Sequence, residues 1–234
     1  MERIRWFYLI VILELLFFSN CKNNSNDDTV KVTDYDGNTY STVKIGYQVW
    51  MTENLKTTKY SNGDSISFVP DNIFWINHIW SNLTSGAYCS YLNIPSNTNT
   101  YGRLYNWFTV ADNRNICPTG WHVPTDAEWT ILETFLGGGS VAGGKMKEIG
   151  TSHWIDPNKG ADNSSGFTAL PGGFRENDGS FDYMQSNSFW WTSSEGNATS
   201  AWYRVLYNQD SFFNRVTFED DKNLGLSVRC LKDN

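Results

Sequence analysis

The chain has little basic charge: 18 Lys and Arg stand against 25 Asp and Glu, a formal net charge of −7. Binding to phosphate backbones needs a cationic surface, so nucleic acid is excluded as a partner, and adhesion to anionic lipid through charge alone is disfavoured. No Gly-x-Ser-x-Gly elbow occurs, and no glycine-rich loop leads into a lysine. The two commonest local signatures of nucleophilic and nucleotide chemistry are therefore missing. Long apolar runs are missing as well. The longest, Trp6 to Phe18, is broken by Glu14 and is short for a membrane span. No tandem repeat is present.

That one apolar run has the build of an export signal. Arg3 and Arg5 precede it, and Phe17-Phe18-Ser19-Asn20-Cys21 closes it in a form that resembles a bacterial lipobox, with Asn20 where Gly or Ala is usual. Residues 1–20 are predicted to be a lipoprotein signal peptide and Cys21 the lipidated residue. An uncleaved N-terminal anchor is the alternative, and it tethers the chain on the same side. Acyl chains contribute about 0.8 kcal/mol per buried methylene, so a multiply acylated Cys21 holds a protein on a bilayer. Residues 21–29, rich in Asn, Asp and Ser, read as a flexible tether. Removing residues 1–20 takes away two acidic and two basic side chains, so the charge stays at −7. The predicted location is the outer membrane or cell surface of a bacterium.

Four cysteines become three once Cys21 is lipidated: Cys89, Cys117 and Cys230. In an oxidising compartment this predicts one bond and one leftover thiol. Cys117 precedes the clearest helix start and Cys230 ends the last strand-like run, so the favoured pair is Cys117–Cys230, with Cys89 a buried thiol. Pairing through Cys89 is the alternative.

Asp36-Gly37-Asn38 marks a turn between Lys31-Val32-Thr33 and a second strand running from Thr39 to Ile45. Asp34, Asp36 and Asn38 also mimic the start of a calcium loop, but no glutamate completes it, and the turn reading is preferred. Tyr47 to Met51 reads as another strand. Thr57 to Asn99 reads as loop, and Tyr101 to Asp112 has helical spacing. Thr125 as N-cap with Glu128 three residues on predicts a capping box opening a helix over 127–136, stopped by Gly137-Gly138-Gly139. A short second helix is expected over 142–149. From Phe167 onward, short strands are expected at 167–170, 173–175, 181–183, 189–192, 201–207, 212–218 and 224–230. Helices in the middle and strands at both ends give an α+β fold whose two ends meet in one sheet.

Several segments together resemble a known family. They are Ile45-Gly46-Tyr47-Gln48-Val49-Trp50-Met51-Thr52-Glu53-Asn54-Leu55, Tyr101-Gly102-Arg103-Leu104-Tyr105-Asn106-Trp107, Cys117 to Trp129, Ser165 to Gly173, and Ser227-Val228-Arg229-Cys230. In this order they resemble the Fibrobacter succinogenes major paralogous domain, common in exported lipoproteins of Bacteroidetes and related bacteria. The resemblance covers about residues 30–232 and makes residues 30–234 a single domain. It carries no established activity. A more distant resemblance links Val123 to Trp129 and Gly225 to Arg229 to the C-type-lectin-like fold of formylglycine-generating enzymes. The chemistry does not follow: only one cysteine lies late in the chain, His78, His122 and His153 are isolated, and the sugar signatures of true C-type lectins do not occur.

The expectation is thus a non-catalytic module with no cofactor. His122 and Glu128 read as structural. The loop at 156–163 offers oxygen ligands suited to calcium, against the plainer reading of an ordinary Asn/Asp/Gly loop. Aromatic residues form 16% of the chain, and rings stack on apolar sugar faces. Trp190, Trp191, Trp202 and Tyr203 are the predicted ligand-binding residues, with Tyr183 and Tyr207 nearby. Alternation places Trp190 and Trp191 on opposite faces of a strand, so at least one is expected to be exposed. The competing reading is that these rings fill a core. A polysaccharide is the expected partner, and another envelope protein or a purely structural envelope role is the alternative.

Overall fold

The computed structural model describes residues 31–70, 80–219 and 221–234. The predicted signal peptide and tether, Cys21 and His78 lie outside the described residues. The order is β1 (Val32–Thr33), β2 (Thr39–Tyr40), β3 (Thr42–Ile45), β4 (Gln48–Met51), β5 (Ser67–Phe68), β6 (Ala87–Cys89), α1 (Pro95–Tyr101), β7 (Leu104–Tyr105), α2 (Trp107–Val110), β8 (Trp121–His122), α3 (Asp126–Phe135) and α4 (Gly139–Met146). Then follow β9 (Gly172–Arg175), β10 (Phe181–Met184), β11 (Asn187–Glu195), β12 (Ala201–Tyr207), β13 (Asn214–Val216) and β14 (Leu231–Lys232). This is a mixed α+β fold of small, mostly antiparallel sheets. No described helix is long and apolar enough to cross a membrane.

An early hairpin and the last strand share one sheet, in the order β3-β4-β14-β8, while β1 and β2 form a sheet of their own. Leu231 pairs with Trp50 on one side and with His122 on the other. Next to this seam Cys117 is bonded to Cys230 across a separation of 113 residues, and Cys89 is a buried free thiol. The first hairpin forms as its turn residues dictate, with Gly37 at φ +86°. Asp34 is buried there. Its carboxylate accepts from the Asp36 and Asn38 backbone at 3.0 and 2.9 Å and from the Tyr40 hydroxyl at 2.6 Å. The Asp-rich start of a calcium loop is thus a turn whose acid is already satisfied.

Helix α3 carries the expected capping box: the Glu128 amide donates to Thr125 Oγ1, and the Thr125 amide donates back to Glu128. Four other expectations need correction. The expected helix over 101–112 is split, because Leu104 and Tyr105 pair with Cys89 and Tyr88 and leave only the short α2, capped by Asn106. The helical spacing there is satisfied by burial from other elements. The second helix starts earlier, at Gly139. Its glycines are needed where it touches other backbone, since a Cβ on Gly143 would lie 2.3 Å from the Phe212 carbonyl oxygen. Residues 167–170 make only an isolated bridge, Lys147 with Ala169, and residues 57–99 hold β5, β6 and α1 rather than loop alone.

Two hydrophobic clusters flank β11. Trp50, Trp129, Phe167, Trp190 and Phe213 form one, beneath α3 and α4. Tyr105, Phe189, Trp191, Tyr203 and Val228 belong to the other. Alternation along the strand holds, and it sends neighbouring tryptophans into different cores. Both are 0% exposed. An abundance of rings thus fills space that a Leu- and Ile-poor chain leaves open, each large ring removing much apolar area from water.

Candidate functional site

The predicted ligand-binding residues separate once placed. Trp190 stands on the α3 side of the β11–β12–β13 sheet, 5.7 Å from Phe167 and 6.1 Å from Trp129, ring centre to ring centre. Trp191 is on the other face, edge-on to Tyr203 at 5.8 Å, with its Nε1 donating to the Tyr105 carbonyl at 2.8 Å. The expectation that one of this pair is exposed is overturned, because both sheet faces are covered. Trp202 is half-buried, and the Arg215 guanidinium lies 3.2 Å above its ring. Arg215 is itself held by Asp126 at 2.7 Å. That stacking face is taken.

Tyr203 does line a cavity. Along β11 and β12 the odd-numbered residues Asn187, Phe189, Tyr203, Val205 and Tyr207 share one face, in the register Asn187–Tyr207 and Phe189–Val205. The β9–β10 hairpin leans over this face without joining its hydrogen-bond ladder. Between them is a cleft of about 290 Å³, which Phe174, Glu176, Tyr183 and Phe218 complete. Its rings form a continuous series. Tyr183 stacks on Phe174 at 5.8 Å and 13°, Phe174 meets Phe189 at 4.7 Å, Phe189 meets Tyr203 at 6.5 Å, and Tyr203 meets Phe218 at 6.3 Å. Tyr183 and Phe218 form the rim, 53% and 65% exposed.

Backbone conformation sets that rim. Tyr183 has φ +62°, a left-handed value that costs a bulky residue about 1–2 kcal/mol. It falls opposite Gly173 in the hairpin, between the pairs Asp182–Phe174 and Met184–Gly172. Gly173 faces it at φ +61°, and a Cβ there would lie 2.5 Å from the Asp182 carbonyl. Glycine at 173 is what lets the two strands of the hairpin approach this closely.

The cleft carries one charge among its lining residues, that of Glu176. Burial first, then the neighbouring Asp178 and Asp182 carboxylates, push its pKa above the usual range. Burial likewise raises the Tyr203 and Tyr207 phenols. Glu176 makes no side-chain hydrogen bond or ion pair among the described residues. Glu176, Phe174 and Phe218 were not among the predicted site residues. The available signal was the shared face of Tyr203, Val205 and Tyr207; the opposing hairpin has no such signal.

Elsewhere, many polar groups are occupied by the fold, although Asn158 Oδ1 in the 156–163 loop is buried without a hydrogen-bond partner among the described residues. In the 156–163 loop the Lys147 side chain is fully buried, and its ammonium donates to the carbonyls of Lys159, Tyr207 and Asp210 at 2.9, 3.0 and 2.7 Å. A fixed cation of the protein thus gathers carbonyls of this loop and its neighbours. Among the described residues no three His, Cys, Asp or Glu side chains are grouped to hold a metal. His122 lies between Asp233 at 2.6 Å and Glu128 at 3.0 Å, joining the tail to the cap of α3.

With the site described, the comparisons can be placed. The Fibrobacter succinogenes major domain matches residues 43–232, from β3 to β14. The chain belongs to that family. No curated protein and no solved structure matches it. Within the Fibrobacter succinogenes major domain the motif segments converge on a buried hub. Asn54 Oδ1 accepts from Arg229 Nε at 3.1 Å, from Arg229 Nη2 at 2.8 Å and from Trp190 Nε1 at 2.8 Å. Arg229 Nη1 donates to the carbonyls of Met51 and Phe167 at 3.2 and 2.7 Å, and its guanidinium lies 4.4 Å from the Phe167 ring. Asn54 Nδ2 reaches the Tyr101 carbonyl at 2.9 Å. Burial lowers the Arg229 pKa to about 9. Four of the motif segments that carry the family resemblance therefore meet in a hub of the interior, while the cleft lies apart from it.

Proposed function

We propose that this chain is a membrane-tethered extracytoplasmic lipoprotein whose aromatic cleft binds a polysaccharide without chemical turnover. The observation that carries the reading is the cleft: a row of rings ending in exposed Tyr183 and Phe218, with Glu176 and Asn187 placed to bond hydroxyl groups. Flat rings pack against the apolar face of a pyranose, and a few polar groups fix its orientation. Its size suits one sugar ring of a longer chain. The meeting of an early hairpin and the last strand in one sheet, with Trp129 of α3 against Trp50 of β4, supports a C-type-lectin-like arrangement.

A glycan array probed with the full-length chain tests the reading. Tyr183→Ala is expected to abolish the signal while leaving thermal stability within about 1 kcal/mol, because the ring is half exposed. Trp190→Ala is expected to act through folding, costing about 3–5 kcal/mol. Loss of glycan signal in a fully stable Trp190→Ala protein would return the site to the tryptophans. Fatty-acid labelling that disappears in Cys21→Ala tests the anchor.

A second reading, docking to another envelope protein, is favoured by Tyr47 and Phe135. They are 68% and 61% exposed, and Gly46 lies against the Phe135 ring. Recovery of one stoichiometric envelope protein that depends on Phe135, alongside a blank array, would favour it.

A further inference from the structure

The cleft is built for more than a neutral sugar. Its walls are aromatic, and its single charged lining residue is a carboxylate. No lysine or arginine lines it. Glu176 also borders a second, open recess of about 560 Å³ whose lining includes Asp178, Ser180 and Asp182. The two spaces share Glu176 as a lining residue, and Asp178 and Asp182 line the second.

Rings and carboxylates in this combination attract cations. The negative faces of Tyr and Phe rings attract an ammonium, by about 0.5–2 kcal/mol depending on desolvation. A carboxylate beside them adds a charge-assisted hydrogen bond. Glu176 is half-buried, has the Asp178 and Asp182 carboxylates nearby, and has no ion-pair partner among the described residues. A partly buried acid in that position is stabilised when a ligand supplies the cation.

We propose that the cleft recognises a polysaccharide bearing free amines, an amino-sugar polymer whose ammonium pairs with Glu176 while its ring stacks on Tyr183 and Phe218. The proposal rests on the glycan-binding reading above and specifies its substrate class. A sugar suits the cleft better than a lysine side chain because two exposed rings at the rim offer flat area for a pyranose. The overall charge of −7 favours approach of a polycation.

The test uses the full-length chain in detergent and titration calorimetry at about pH 6, below the range where such amines lose their proton. The probes are glucosamine oligomers, the same oligomers fully N-acetylated, neutral glucose oligomers and an oligolysine peptide. The free-amine oligomer is expected to bind about tenfold tighter than its acetylated form. Glu176→Gln, which removes charge without removing a fold contact, is expected to bring the two within about twofold. Tyr183→Ala is expected to weaken both.

Equal or tighter binding of the acetylated or neutral oligomers overturns the amine assignment and leaves polysaccharide binding standing. A preference that survives Glu176→Gln overturns the role of that residue. Absence of binding to any sugar overturns both readings, and binding of oligolysine alone would reassign the cleft to peptides.

Discussion

Replacing Asn54 by Ala should be among the most damaging single changes available in this chain, and its cost should depend on Arg229. The Asn54 oxygen accepts two of the four hydrogen bonds from the buried Arg229 guanidinium and one from Trp190. A bond from a charged donor contributes about 1.5–3 kcal/mol and one from a neutral donor about 1 kcal/mol. Their loss predicts about 5 kcal/mol, which in a chain of this size lowers the melting temperature by about 10–20 °C. In an Arg229→Met background no charge is stranded, and Asn54→Ala should then cost only about 2 kcal/mol. The coupling, about 3 kcal/mol, is read from a double-mutant cycle by urea unfolding followed through tryptophan fluorescence and far-UV circular dichroism, with unchanged denaturant slopes. Costs that add to within about 0.5 kcal/mol would show that Asn54 and Arg229 do not act as a unit, and the hub would lose its meaning.

Other outcomes follow from the same geometry. Converting Cys117 and Cys230 together to Ala opens a loop of 113 residues and should cost about 4–5 kcal/mol, measured as a shift in urea midpoint; an unchanged midpoint would mean the bond adds nothing. Burial lowers the Lys147 pKa from 10.5 to about 8, so the unfolded chain binds the extra proton between those values. The cost of burying the ammonium is therefore full below pH 8 and is relieved as pH rises toward 10.5. Wild type should gain stability over that window relative to Lys147→Met, and parallel pH profiles would refute it. Burial also pushes the Cys89 thiol up to about 11, so it should resist alkylation at neutral pH until the chain unfolds; stoichiometric labelling of the native protein would contradict that burial.

Much of the framework was legible from local rules. Thr125 and Glu128 satisfy each other within three residues, Asp36-Gly37 supplies its own turn, and the cysteine arithmetic leaves few pairings. These are short-range or covalent constraints, so sequence alone expresses them. The cleft was legible on one wall only. Tyr203, Val205 and Tyr207 advertise a common face by alternation, but the hairpin that roofs them is placed by the left-handed backbone at Tyr183 and Gly173, which no spacing announces. The tryptophans misled for a related reason. Period-two alternation tells which side a ring is on, and only tertiary packing tells that both sides are covered. Arg229 and Asn54 stand 175 positions apart, so each looked like an isolated motif residue until the fold joined them.

Leu231 and Lys232 occupy the middle of a sheet, between strands made far earlier in the chain. For any polypeptide made from its amino end, that sheet stays incomplete until Lys232 has emerged. Until then its central slot is vacant and the sheet cannot close. Truncation by a handful of carboxy-terminal residues should accordingly leave a half-assembled molecule that proteases clear, whereas a tag extending beyond Asn234, at the solvent-exposed tail, should be tolerated.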